Sequence, residues 1–345
     1  MPEWRHEGAD FDRLCSHLTH LIFFSLEMTP KGDIIALDRL PRPELMAEAR
    51  KAASKHKTKL IVCFGGNGRS GGFSVMVRND KNRKIFLQNL VKLLDQHGLD
   101  GVDYNWEYPG YRSSNAHSHD NIINFQLICR MGRGYLDEKE IMKDYEGLAK
   151  LIKETKSLFA ESERFVSMAY YPDTRQERLM RLFGLDEEVD LMYSMSYDQG
   201  APNHSSRDLA KQTIKQADNA NLVMSKLCLG LPFYGRNTQG EWTTYEDLVQ
   251  QHDLTGKEDE VVKDGVKIGL NGKNTIGWKV KLAMTEKIGG VMIWEVGQDC
   301  RVSPVTRGDT VHVRTCPKGE ESSLLAVITK TKKKYKPADA ARDEF

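Results

Sequence analysis

The chain has 345 residues, with 50 Lys and Arg against 49 Asp and Glu. That balance gives no overall field to draw nucleic acid or an anionic membrane surface. No apolar run reaches the ~18 residues that span a bilayer. The polar start MPEWRHEGADFDR carries no secretory leader, so either a cytosolic protein or an incomplete start is expected. Six cysteines, at 15, 63, 129, 228, 300 and 316, form no CxxC pair, which argues against a zinc site. Cys63 and Cys228 lie in apolar runs and read as small buried residues, while Cys300 and Cys316 can pair only in an oxidising compartment.

Seven apolar runs recur along the chain, at 18–28, 58–66, 98–109, 164–172, 189–198, 226–235 and 288–297. Runs apolar on both faces suit parallel strands covered by helices. Between them, 43–57, 82–98, 138–162, 205–221 and 273–287 carry helical spacing, with Gly98 placed to stop one helix and Ser205 or Ser206 to cap another. Repeated β-α units predict an α/β fold, a (β/α)8 TIM barrel. An open doubly wound sheet is the alternative, but no GxGxxG follows the first run. Seven strands are one short, so the missing strand is expected ahead of the first run, with MPEWR the loop after it. Alternatively, 309–316 or 323–330 closes the gap. The barrel then takes residues 1–305, with a small insert at about 237–287 between strands seven and eight. Residues 113–133 break the pattern, as a lid or as sequence foreign to the barrel, and their His117 and His119 read as solvated rather than metal-binding. The basic stretch 317–345 is expected to be a mobile tail.

The chemistry concentrates in Asp100-Gly101-Val102-Asp103-Tyr104-Asn105-Trp106-Glu107. Side chains alternate along a strand, so Asp103, Asn105 and Glu107 share one face. In a barrel that face is the interior, and Glu107 stands nearest the C-terminal mouth, where barrel active sites lie. Three polar groups on a buried strand are costly without partners or a purpose. A satisfied polar network is the plain reading; catalysis is the sharper one.

The octapeptide resembles the DGxDxDxE signature of the family 18 glycoside hydrolases, the chitinases and chitinase-like proteins. The resemblance runs from about residue 1 to about 300: PEWR at the first loop, FGGNGRSGGFS (64–74), MSYD (195–198), LGLPFYGR (229–236) and GGVMIWEVGQD (289–299) follow in the family's order. It implies substrate-assisted retaining hydrolysis of β-1,4-linked N-acetylglucosamine polymers or oligomers, an exception to the two-carboxylate scheme. Glu107 would be acid and base, its acidity tuned by burial and by Asp103. The substrate's own acetamido oxygen would attack the anomeric carbon. Tyr197 would donate to that oxygen and Asp198 help bind the sugar, while Trp294 would form the floor under it. Tyr234, Arg236, Trp106 and Trp4 are further candidates for sugar contact, with core packing or a surface ion pair as the plain alternative for Tyr234 and Arg236. The partner would be chitin or N-acetylglucosamine oligosaccharides, with no metal, organic cofactor, nucleic acid or membrane span. The family also implies an extracellular setting. The chain departs from the family at Asn105, where the signature has a carboxylate. An amide accepts the acetamide N–H but supplies no countercharge, so attenuated hydrolysis is expected. A non-hydrolytic lectin for the same sugars is the alternative.

Overall fold

The computed structural model describes residues 1–111, 134–200, 202–252, 254 and 258–335. The interruption at 113–133, with His117 and His119, lies outside them. The chain divides into two compact units, Met1–Met195 with Ile214–Lys226, and Ser196–Thr213 with Leu227 onward.

In the first unit, helix α1 (Phe11–His17) precedes strands β1 (His20–Met28) and β2 (Ile34–Ile35). There follow α2 (Pro43–His56), β3 (Lys59–Gly65), α3 (Phe73–Val77), α4 (Asp80–His97), β4 (Gly101–Asn105), α5 (Glu138–Phe159), β5 (Phe165–Tyr170), α6 (Arg175–Leu182), α7 (Leu185–Glu188) and β6 (Leu191–Ser194). Strands β1, β3, β4, β5 and β6 pair in parallel in that order, and β2 turns back antiparallel on the outer edge of β1. Every residue of β4 and β5 is buried; β5 is apolar apart from Ser167, whereas β4 carries the buried polar Asp103 and Asn105. The helices follow from their own signals. Asn79 caps α4 by accepting the Asn82 N–H, and Gly98 ends it at φ 61°. Helix α5 buries Ile141, Tyr145, Leu148, Leu151 and Ile152 on one face, each apolar side chain contributing about 1.5–3 kcal/mol by leaving water.

Helix α8 (Arg207–Asn219) comes next in the chain, with the Ser206 hydroxyl accepting the Leu209 N–H at its start as expected for a cap. The second unit continues with β7 (Leu227–Pro232), β8 (Tyr234–Asn237), β9 (Trp242–Thr244), α9 (Tyr245–Gln251), β10 (Glu260–Lys263), β11 (Val266–Gly269), α10 (Lys273–Thr285), β12 (Gly290–Trp294), β13 (Val305–Arg307), β14 (Thr310–His312) and α11 (Leu324–Lys334). Strands β7 and β12 pair in parallel. The insert after β7 forms an antiparallel sheet in the order β10-β11-β8-β9.

All seven predicted runs thus hold a parallel strand. Neither C-terminal segment supplies an eighth. Residues 309–316 contribute β14 to an antiparallel hairpin with β13, and 323–330 lie in α11. Within the described part of the expected mobile tail, residues 317–335 instead carry this packed helix: Ser323 caps it, and Leu324, Leu325, Ala326 and Ile328 are buried. Beside β1, the Met1 carbonyl accepts the Phe24 N–H at 3.0 Å and Pro2 bridges Phe24 in parallel. Cys300 and Cys316 form a disulfide, with 4.9 Å between their Cα atoms.

Candidate active site

Strand β4 obeys the alternation read from its sequence. Tyr104 faces the helices, its hydroxyl 2.8 Å from Thr155 of α5. Trp106 follows the same side and stacks on Phe73 of α3, with centroids 5.0 Å apart and planes 9° apart. It is buried in that stack. Asp103, Asn105 and Glu107 take the other positions, the first two buried and Glu107 half-buried.

Asp103 accepts a hydrogen bond from Ser167 of β5 at 2.7 Å. Burial raises its pKa, opposed by the hydrogen bonds from Ser167 and from the Cys63 thiol. Cys63 is itself pushed well above the ordinary thiol value by burial and by Asp103, so it stays a donor. The bland reading of Cys63 as filler is therefore incomplete.

Asn105 donates from Nδ2 to Glu107 Oε1 at 3.1 Å. Its Oδ1 is buried and accepts nothing among the described residues. An orphaned buried acceptor costs about 1–3 kcal/mol until a donor arrives. Backbone from β3 makes room here. Gly65 and Gly66 sit at φ 100° and 107°, and a Cβ on Gly65 would stand 2.3 Å from the Asn105 carbonyl. Gly66 donates its N–H to that carbonyl at 2.7 Å.

Two side chains that sequence reading missed hold the segment carrying Glu107. The Ser70 hydroxyl accepts the Glu107 N–H at 3.1 Å and donates to the Gly66 carbonyl at 3.0 Å. Asp144, a buried acid on the apolar face of α5, accepts the Gly110 N–H at 2.9 Å, and Ser74 Oγ and Arg78 Nε at 2.7 Å each. Its signal was a lone charge at a core position of an amphipathic helix. At the chain's start, Trp4 is 60% exposed, with the Arg69 guanidinium 5.9 Å from its ring.

In the second unit, Asp198 is the hub, at φ 59°. Its Oδ1 accepts from Tyr234 Oη at 2.8 Å and from Arg236 Nη1 at 3.1 Å. His204 Nδ1 lies 3.6 Å from the same oxygen. Burial alone would raise the Asp198 pKa; the hydrogen bond from His204, the Arg236 charge and the Tyr234 hydroxyl hold it below the ordinary value instead. Arg236 is 4% exposed, so the surface ion pair considered for it is in fact a buried one. Tyr197 is buried with its ring 6.3 Å from Tyr234. Trp294 ends β12, half-buried, its carbonyl accepting the Phe233 N–H at 2.9 Å. His204 was invisible in sequence because its loop, PNHSS, has no periodic pattern.

The chain matches the Glycosyl hydrolases family 18 over residues 2–299, and it belongs to that family. Among curated relatives, Probable chitinase 2 of Drosophila melanogaster is 23% identical over 379 residues, covering 90% of this chain and 72% of the relative. Oviduct-specific glycoprotein of Mus musculus is 22% identical, covering 81% of this chain and 43% of its own length. Among solved structures, a mutant of Ostrinia furnacalis Group II chitinase catalytic domain 2, in complex with penta-N-acetylchitooctaose (NAG)5, aligns with TM-score 0.72 at 18% identity, covering 97% of this chain and 95% of that one. At such identity the likeness shows the fold, the α/β class of the family's (β/α) barrels. Among the described residues no helix is long and apolar enough to cross a membrane.

Proposed function

We propose that this protein is a chitinase that hydrolyses β-1,4-linked N-acetylglucosamine chains by substrate assistance. The observation that carries the reading is the row Asp103, Asn105 and Glu107, with the side-chain oxygen Oδ1 of Asn105 buried and accepting nothing among the described residues. That oxygen suits an acetamide N–H, which would turn the carbonyl of the same group toward the anomeric carbon. Glu107 protonates the glycosidic oxygen as the acetamido oxygen attacks. An oxazolinium ion forms, and Glu107 then takes a proton from the water that opens it. Tyr197 donates to the acetamido oxygen, Asp198 binds the sugar with Tyr234 and Arg236 around it, and Trp294 lies beneath it. Trp4 takes a more distant sugar.

Asn105 also sets the limit. It donates to Glu107 but offers no negative charge to the cationic intermediate, so turnover is slow. A second reading, a lectin for the same oligosaccharides, is favoured by that same residue. A fluorogenic chitotriose assay beside the Glu107→Gln variant separates the two. Release by the parent and not by the variant is the expected result. No release from either, with chito-oligosaccharide still raising the Tm, replaces the hydrolase with the lectin. The disulfide between Cys300 and Cys316 supports an extracellular or otherwise oxidising setting for either.

A further inference from the structure

The second unit presents an exposed tryptophan beside the Asp198 cluster. Trp242 opens β9 and is 53% exposed. Its ring lies 6.0 Å from that of Tyr234, and the Arg236 guanidinium is 5.7 Å from its centroid. Tyr234 in turn lies 6.3 Å from Tyr197. Three rings therefore form a row, buried at Tyr197 and Tyr234 and open to water at Trp242, beside the Asp198–Arg236 ion pair.

The hairpin that presents Trp242 is braced. Arg236 pairs with Trp242 in register across β8 and β9. Asn237 Oδ1 accepts the N–H groups of Gln239 at 3.0 Å and Glu241 at 2.9 Å, and its Nδ2 donates to Glu241 Oε2 at 2.8 Å. Arg236 Nη2 adds a bond to the Gly240 carbonyl at 3.1 Å. A single exposed apolar side chain needs no explanation. An indole held at the open end of a ring row, on a pinned turn, next to a fixed carboxylate and guanidinium, fits a ligand with a flat apolar face and a polar rim. A pyranose ring is such a ligand: its axial C–H groups stack on an indole while its hydroxyls face the partly exposed Asp198 carboxylate. Bracing lowers the ordering cost of that contact.

We infer that Trp242 is a stacking platform for a further sugar of the bound chain, continuous with the Asp198, Tyr234 and Arg236 cluster, so that it sets preference for longer oligosaccharides. The inference rests on the proposed reading of this protein as acting on N-acetylglucosamine chains. It is tested by calorimetric titration of chitotriose and chitohexaose into Glu107→Gln, which leaves the ligand intact, and into the same variant carrying Trp242→Ala or Trp242→Phe. Matching melting curves establish that the variants fold alike. Trp242→Ala should weaken chitohexaose binding on the order of tenfold, affect chitotriose less, and be largely rescued by Trp242→Phe. Equal chitohexaose affinity with and without Trp242 overturns the platform and leaves the functional reading standing. Binding of neither oligosaccharide by Glu107→Gln overturns both.

Discussion

Asn105 is where single-residue chemistry decides most. Its side chain keeps the hydrogen-bonding pattern of a carboxamide, one donor toward Glu107 and one free acceptor, and gives up the charge. A preorganised group aimed at developing charge is typically worth 10²–10³ in rate, roughly. Asn105→Asp is therefore expected to raise kcat by about two orders of magnitude, read with the same fluorogenic substrate. An unchanged rate would mean that the missing charge at Asn105 does not slow turnover. The residues that sequence made legible here are those whose chemistry is conspicuous against their surroundings: polar groups at alternate positions of a buried strand. Trp106 was harder to read, because aromatic character alone does not reveal the stack on Phe73, more than thirty positions away. Ser70 was missed for a related reason: one hydroxyl in a polar loop carries no pattern, and only its contact with the Glu107 N–H gives it meaning.

Among the elements, strand β4 is the one whose end must be held still. Its last residues pass into a turn fixed on one side by Ser70 and on the other by Asp144 of α5. Asp144 ties that turn to α3 through Ser74 and Arg78, and Arg78 also pairs with Glu140. Removing charge from a buried, hydrogen-bonded carboxylate leaves its partners short, at a cost of about 3–5 kcal/mol for a fully buried pair. Arg78 is about a quarter exposed, so the expected loss is smaller. Asp144→Asn should lower stability by about 2 kcal/mol in urea melts and reduce kcat more than it raises KM. A variant as stable as the parent would show that the brace is ornamental. Elements themselves were the most readable level of the chain, because burial on both faces leaves continuous apolar runs and amphipathic helices leave a three-to-four spacing. The exception is α11. Its four apolar positions precede a lysine-rich end, and composition over the whole segment hid the short face that packs.

For the molecule as a whole, the disulfide is the covalent feature that matters to stability. It closes a loop with a sequence separation of 16 in the second unit, spanning the hairpin of β13 and β14. Chain-entropy arguments assign a loop of that length about 3 kcal/mol. Replacing Cys300 and Cys316 together by serine is expected to lower the midpoint of unfolding accordingly, and a reducing agent should do the same to the parent but not to the variant. A parent indifferent to reductant would mean that the bridge does not form in solution. What sequence left open at this scale was connectivity: two cysteines near the end of the chain are compatible with a bridge or with two thiols, and only the 4.9 Å approach of their Cα atoms chooses.

The other described cysteines give the fold an internal clock. Cys15 and Cys63 lie in the first unit and Cys228 in the second, all buried and unbridged. Burial pushes Cys15 up to about 11 and Cys228 to about 12, so neither is an effective nucleophile while folded. Once its unit opens, each thiol returns to an ordinary acidity and reacts. Timed alkylation followed by mass spectrometry of the separate cysteine peptides would then read the opening rate of each unit from one unmodified protein. Equal rates at Cys63 and Cys228 mean that the chain opens as a single cooperative body. A faster rate at one of them identifies the unit that yields first.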